Sequence, residues 1–552
     1  MPSQVTSYFR ESEWNIVRGY RSELKKLQHL PTEELNQIAE EWLTDSGLKT
    51  SYHHGDSSSL YAIMHASRGE DTEAMVLSIP WKTSDGHFNL GGASIGMALG
   101  KYFNRMSIWS KNIIIVFTED SHKSLRQWVE AYHTSLDKTA GSIEAAIILE
   151  YNGESDHFDY IEMWYEGLNG QLPNLDFLNT AAQIAYHENI HVSLQNTPGE
   201  KVTLNTYKQR LKVFVKGIIG LCLSGIVKPI NGAESFSGWS IQAVTLKARG
   251  IKGPNDITQM GRVVDSTFRS VNNLLEKFHQ SFFFYLLMSP RYFVSIGTYL
   301  PSAVLIAVSY ALSSLSCLLN TNVSISSFLN SISQVLIIFT SIEFACFLTA
   351  NLLPFLIFRT VTDDDKNNLV TLIIVGFSTL NIVLSTPFLW KSKYLRISSK
   401  LSYSLISFSL FFISMVITML LILNFSLALL IGLMSLPLTF IQPILKSIDI
   451  QPSKSIESFP LMNYLNTMKP HLKLFICLFV SNPIFIIIVT GSSYLGDNGV
   501  YNLMTNLITS WNDLQCWTWY IVMLGWFPAW LTISFACLLG KFDFITSSKK
   551  LQ

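Results

Sequence analysis

The chain has 552 residues, 40 basic (Lys and Arg) against 40 acidic, a formal net charge of zero, 48% hydrophobic residues and 14% charged ones. That length exceeds a single core, and the apolar excess is high for a soluble protein. Zero net charge without a long basic block leaves no electrostatic basis for nucleic-acid binding.

The apolar excess is uneven along the chain. Up to about Lys277 charged and apolar residues mix as in globular domains, whereas beyond Phe293 the sequence is dominated by runs long enough to cross a bilayer. The expected organisation is a soluble domain over 1–275, an interfacial amphipathic helix over 276–290, a membrane bundle over 291–541 and a tail over 542–552. Cys222 is the only cysteine of the soluble part, so no disulfide forms within it.

In the soluble part, "SLYAIMHA", "EAMVLSIPW", "KNIIIVFTE", "EAAIILEY", "FDYIEMWYEG" and "SIQAVTLKA" read as strands. Helical patterns lie between them, near 93–105, 123–135, 175–188 and 204–225. This alternation predicts an α/β domain whose mostly parallel sheet is covered on both faces, with binding loops at the carboxyl ends of the strands.

The order of elements resembles the zinc-aminopeptidase fold, in which successive strand ends supply a His-x-Asp, a bridging Asp in a Gly-rich loop, a Glu-Glu pair, an Asp and a late His. A zinc pair needs anionic or imidazole donors at nearly all of these places. Here Trp81 and Thr83 stand at the first, and Asn89, Leu90 and Gly91 at the second. Glu119 and Asp120 keep the acidic pair, Glu150 takes the next place, and the late position falls near Ala233. Glu119, Asp120 and Glu150 thus form a remnant peptidase site, too short of donors for two zincs. His87 and His122 lie in adjacent loops, where a solvated imidazole is the usual role, and Asp120 beside a helix start reads as a cap.

Two longer stretches carry a more specific resemblance: "YEGLNGQLPNLDFLNT", Tyr165 to Thr180, and "NNLLEKFHQSFFFYLLMSPRYFVSIGTYLPS", Asn272 to Ser302. Together with "SYFRESEWNIVRGYRS" they make the chain similar to the GPI anchor attachment protein family, the aminopeptidase-like, non-hydrolytic subunits of GPI transamidase. Locally, Gly167, Gly170 and Pro173 read as a turn and Asn174 or Asp176 as the next helix start. The polar residues of "HQSFFFYLL" precede aromatic and leucine side chains, as in a helix lying at a membrane interface.

The resemblance implies that His279, Gln280 and Ser281 contact the GPI headgroup, with a divalent cation, magnesium, bridging a phosphate at Gln280. It implies no catalytic residue in this chain, and as partners the GPI lipid, precursor proteins and the other transamidase subunits, among them a cysteine-protease-like catalytic subunit. Family members begin with a transmembrane helix before the counterpart of "MPSQ", so an upstream span is expected. The enzyme alternative is a membrane-tethered metallo-aminopeptidase or amide-forming enzyme using Glu119 as base with Asp120 and Glu150. A transporter is the third class, but no inverted repeat is visible.

Membrane spans read as roughly 293–314, 331–357, 367–389, 401–423, 425–445, 470–490 and 517–538, with the long 401–445 stretch broken at Asn424 and Ser426. Glu343 stands among apolar residues near mid-span, where an ionisable group marks function by default. Lys391, Lys393, Arg396 and Lys400 share one loop, Lys446, Lys454 and Lys469 another, and Lys541, Lys549 and Lys550 the tail. All three fall on one side, which the positive-inside rule makes cytosolic. The soluble domain is then luminal. The terminal "KKLQ" resembles a dilysine retrieval signal, which implies the endoplasmic reticulum membrane.

Overall fold

The computed structural model describes residues 7–198, 201, 204–226, 231–276, 278, 283–321, 324–360, 362–387, 396–449, 460–494 and 498–540. The chain divides into two compact units, Met1–Thr298 and Tyr299–Gln552.

The first unit is built on an eight-stranded sheet. In chain order it runs α1 (Glu11–Leu27), α2 (Thr32–Asp45), β1 (Lys49–His54), β2 (Ser58–Met64), β3 (Glu73–Lys82), α3 (Leu90–Asn104), β4 (Asn112–Asp120), α4 (Lys123–Thr134) and β5 (Ser142–Glu150). It continues through β6 (His157–Phe158), β7 (Tyr160–Trp164), α5 (Leu175–His187), β8 (His191–Leu194), α6 (Tyr207–Leu223), α7 (Glu234–Ser237), β9 (Gln242–Arg249), β10 (Asn255–Asp256) and α8 (Ile257–Asn272). The sheet order is β1-β2-β4-β3-β5-β9-β7-β8. Its centre, β4-β3-β5-β9, is parallel. The α/β reading of the sequence is the architecture observed.

Each central strand is apolar on both faces because both faces are covered. Ile113, Ile115 and Phe117 of β4 face a core filled from α1, α2, α3, α5 and α8. Ile114 and Val116 face a smaller core that holds Leu125, Trp128 and Phe236. The expected strand at 158–167 is interrupted: Asp159 donates its N–H to Arg249 O at 2.7 Å, and β7 begins only at Tyr160.

The stretch beginning at Ser7 docks against this core. Phe9 is fully buried and meets Tyr102 edge-on, with ring centroids 5.3 Å apart. Ser7 Oγ donates to Asp265 at 2.5 Å, and the same carboxylate receives Arg269 Nε at 3.2 Å. Gly261 has no side chain because a Cβ there would run into the Phe9 ring.

The expected interfacial helix over 276–290 is corrected by the structure. Among its described residues Tyr285–Ser289 is a strand, β11, paired antiparallel with β12 (Tyr292–Ser295) across a turn at Pro290 and Arg291. Tyr285 and Leu287 enter the main core, and Tyr285 Oη donates to Pro173 O at 2.8 Å. Burying these side chains against the sheet domain favours the hairpin over a helix that would expose half of them.

In the second part of the chain, six described helices are long and apolar enough to cross a membrane: Ile296–Asn320, Ser326–Arg359, Asp364–Ser385, Ser399–Leu423, Phe425–Ser447 and Thr518–Leu539. A bent pair, Pro470–Val480 and Pro483–Ser493, makes a seventh if counted as one span. Asn424 interrupts the long apolar stretch as read from the sequence, its side chain accepting from Leu427 N at 3.0 Å to cap the following helix. Small hydroxyl residues join the helices: Ser314 and Ser407 bond reciprocally to each other's carbonyls at 2.7 and 3.0 Å, and Ser414 Oγ donates to Ala307 O at 2.7 Å. Such residues let backbones approach closely in a medium that supplies no water.

Candidate functional site

The parallel strands β3, β4, β5 and β9 end at one edge of the sheet, and the acids read from the sequence stand there. The three have separate environments. Glu119 forms a surface ion pair with Lys82 Nζ at 2.8 Å, the two side chains being 34% and 57% exposed. Asp120 turns back onto its own chain, where Oδ1 accepts from His122 N at 3.0 Å, Ser124 N at 3.1 Å and Ser124 Oγ at 3.0 Å. It fixes the entry to α4, the capping role its position suggested.

Glu150 alone lies in a buried network. Its carboxylate accepts from Ser84 N at 3.2 Å, Ser84 Oγ at 2.7 Å and Ser121 Oγ at 3.0 Å. Lys247 stands opposite it in the β5–β9 register, with Nζ 3.4 Å from Oε2 and both side chains 2% exposed. The ammonium also donates to Ser84 Oγ and, at 2.5 Å, to Asn231 Oδ1. All three lysine donors are thereby directed at named acceptors. Asn231 N donates in turn to Glu234, whose carboxyl is raised above the usual range by burial.

The other ligand positions of the aminopeptidase pattern are used for packing. Trp81 is buried and donates Nε1–H to Asn36 Oδ1 at 2.8 Å. Thr83 Oγ1 accepts from His87 N at 3.2 Å inside a turn that leaves His87 exposed. Asn89 bridges two strand ends: its amide donates to Pro80 O and Leu149 O, and its oxygen accepts from Tyr151 N, each at 2.8 Å. No group of three or more His, Cys, Asp or Glu side chains among the described residues is arranged to hold a metal. The donors do not fit a zinc pair, because Glu150 already has a fixed cation in Lys247 and Asn89 spends its whole amide on backbone groups.

Lys247 was not singled out in the sequence. Its signal was a lone charge inside the strand pattern of "SIQAVTLKA", but its partner lies almost a hundred residues away and becomes visible only through the strand register. Glu166 was likewise missed as more than part of a turn motif. It is buried, and burial pushes its carboxyl up to about 7. Around it the motif behaves as read: Gly167 N donates to Gln171 O at 2.9 Å, Asn169 and Gly170 take positive φ, and Asn174 caps α5 by accepting from Asp176 N at 2.8 Å.

His279, Gln280 and Ser281 lie outside the described residues, as do Lys391, Lys393, Lys454 and the tail that contains "KKLQ". In the membrane-spanning part, Glu343 is half-buried, and its Oε2 has no hydrogen-bond partner among the described residues.

Comparison with known proteins gives these features a family. The model of the family described as "Gaa1-like, GPI transamidase component" matches residues 56–534. The GPI transamidase component GAA1 of Saccharomyces cerevisiae is 42% identical, covering all of this chain and 90% of that protein. The GPI transamidase component gaa1 of Schizosaccharomyces pombe is 30% identical over 80% of this chain and 76% of its own length. Among solved structures, an aminopeptidase from Aneurinibacillus sp. strain AM-1 matches 39% of this chain and 48% of its own at 10% identity, with a TM-score of 0.26. The chain, with its neutralised strand-end pocket and its apolar helices, belongs to the Gaa1-like family of GPI transamidase components.

Proposed function

We propose that this chain is a noncatalytic subunit of GPI transamidase that binds the GPI lipid and presents its ethanolamine amine to a separate, cysteine-protease-like subunit carrying the precursor protein as an acyl enzyme. The observation that carries the noncatalytic part is the buried Glu150–Lys247 pair: at the strand end where a peptidase would activate water, the acid is paired with the protein's own cation. What remains for such a chain is positioning. Holding an amine beside a thioester lowers the barrier by on the order of 7 to 11 kcal/mol in the best intramolecular cases, with no acid or base supplied.

In this reading His279, Gln280 and Ser281 contact the GPI headgroup, and Gln280 would help to hold a magnesium ion, which would supply positive charge to a headgroup phosphate. The sheet domain lies in the lumen of the endoplasmic reticulum and the tail in the cytosol, in keeping with the charge bias of the loops.

The test is GPI attachment to a reporter precursor in cells that carry His279→Ala, Gln280→Ala or Ser281→Ala. Attachment falls by roughly tenfold or more for loss of a hydrogen bond to a charged phosphate, while expression and co-purification of the partner subunits stay normal. Undiminished attachment in all three variants refutes the headgroup contact. Purified chain that trims peptides in a zinc-dependent manner refutes the noncatalytic role.

A further inference from the structure

The β11–β12 hairpin forms one wall of a cavity that takes no part in the Glu150 network. Its volume is about 460 Å³, within the range of small-molecule sites. Helix α5 contributes Asn179, Gln183 and Tyr186, the edge strand β8 contributes His191, and the hairpin turn contributes Arg291 and Tyr292. No aspartate or glutamate among the described residues lines it.

Two guanidinium groups are pre-arranged at its rim by aromatic rings. Arg291 lies 3.8 Å from the ring centroid of Tyr186, and Arg210, on α6, lies 3.8 Å from that of Tyr292. Arg210 Nε donates to Asn205 Oδ1 at 2.8 Å, which holds its fork beside the cavity. Neither arginine forms an ion pair with a described carboxylate. A cation held on a ring face loses little rotamer freedom when it binds an anion, and a planar fork matches the oxygens of a phosphate.

The remaining lining sets a few polar groups suited to hydroxyls among the apolar side chains of Ala182, Ile190, Val192 and Pro290. Asn179 offers an amide that both donates and accepts, Gln183 offers its amide oxygen while its Nε2 meets His187 Nε2 at 3.2 Å, and His191 offers a ring nitrogen. Tyr186 and Tyr292 are 56% and 45% exposed; an arginine covers one face of each ring, and the exposed remainder can meet a ligand's carbon skeleton. An extended acidic peptide would satisfy the arginines, but it has little use for the side-chain amides of a concave pocket.

We infer that this cavity binds a phosphorylated saccharide, with the phosphate on Arg291 and Arg210 and the sugar hydroxyls on Asn179, Gln183 and His191. The site is separate from the headgroup contact proposed at residues 279–281 and does not depend on it.

Equilibrium binding of radiolabelled glucose 1-phosphate to the full chain in lipid nanodiscs tests this. Saturable binding is expected. Inorganic phosphate should compete only at concentrations roughly tenfold higher or more, and methyl glucoside more weakly still. Arg291→Ala should weaken binding by roughly tenfold or more, and Arg291→Lys, which keeps the charge without the fork, by less. Gln183→Leu, which keeps both arginines, should weaken the sugar phosphate while leaving competition by inorganic phosphate unchanged. A missing saturable signal overturns the inference, as does binding that Arg291→Ala and Arg210→Ala both leave unaltered. Equal affinity for inorganic phosphate, or stronger displacement by an oligoglutamate peptide, overturns the saccharide assignment. Unchanged GPI attachment in Arg291→Ala cells together with lost sugar-phosphate binding separates this site from the headgroup contact.

Discussion

Lys247 Nζ stands 3.4 Å from Glu150 Oε2 across neighbouring parallel strands, both side chains almost wholly removed from solvent. Replacing one partner leaves the other charge buried and unpaired, whereas replacing both does not. Lys247→Met should therefore destabilise the sheet domain by about 3 to 5 kcal/mol, and Lys247→Met with Glu150→Leu should recover most of that loss. Thermal unfolding of the detergent-solubilised chain, followed by near-ultraviolet circular dichroism, reads the difference. Equal transitions in the single and double variants would mean that the pair is not coupled.

Glu119 is the opposite case. Its partner Lys82 is more than half exposed, and a solvated pair of this kind contributes about 0 to 1 kcal/mol. Glu119→Gln should leave thermal stability and GPI attachment within error of the unaltered protein. A large loss of attachment would restore Glu119 as a candidate base.

Glu166 makes stability depend on pH. Burial raises its folded pKa to about 7, above the ordinary value near 4.3 for an exposed glutamate. The folded state therefore holds the proton through a range in which the unfolded chain has released it. Its contribution is fully present below about pH 4 and is lost as pH rises through about 7, a total of about 4 kcal/mol. Glu166→Gln should flatten the stability profile between pH 5 and 8 in urea titrations. A profile of unchanged slope would place the pH dependence elsewhere.

Asn89 tests whether the peptidase pattern can be restored by one acid. Asn89→Asp removes two donors from Pro80 O and Leu149 O and turns a carboxylate toward those carbonyls. The variant should lose stability by about 2 kcal/mol or more and should bind no stoichiometric zinc in elemental analysis after gel filtration. Two zincs per chain would show that the donor set is nearer to a metal site than its partners suggest.

Much of the sheet was readable because the central strands are short, largely apolar runs separated by helical patterns, and local composition alone distinguishes those. The break at Asn424 was readable for a similar reason, since a polar capping residue interrupts an apolar stretch too long for one span. The end of the run "HQSFFFYLL", from Tyr285 onward, is a strand and not the helix expected. A short apolar segment carries no unique period, and the outcome was decided by pairing with Tyr292–Ser295 and by the burial of Tyr285 and Leu287 in a core assembled from distant elements.

By itself the sequence determined the division into an α/β domain and apolar helices, the positions of the strand-end acids, and the family through motifs extending over the chain. These are properties of local composition and residue order. The capping role of Asp120 was legible from its place before a helix start. Only the tertiary structure decided that Glu119 pairs at the surface and that Glu150 is neutralised by Lys247. The physical reason is that a charge takes its role from the dielectric and the partners around it, and register brings those partners from far along the chain.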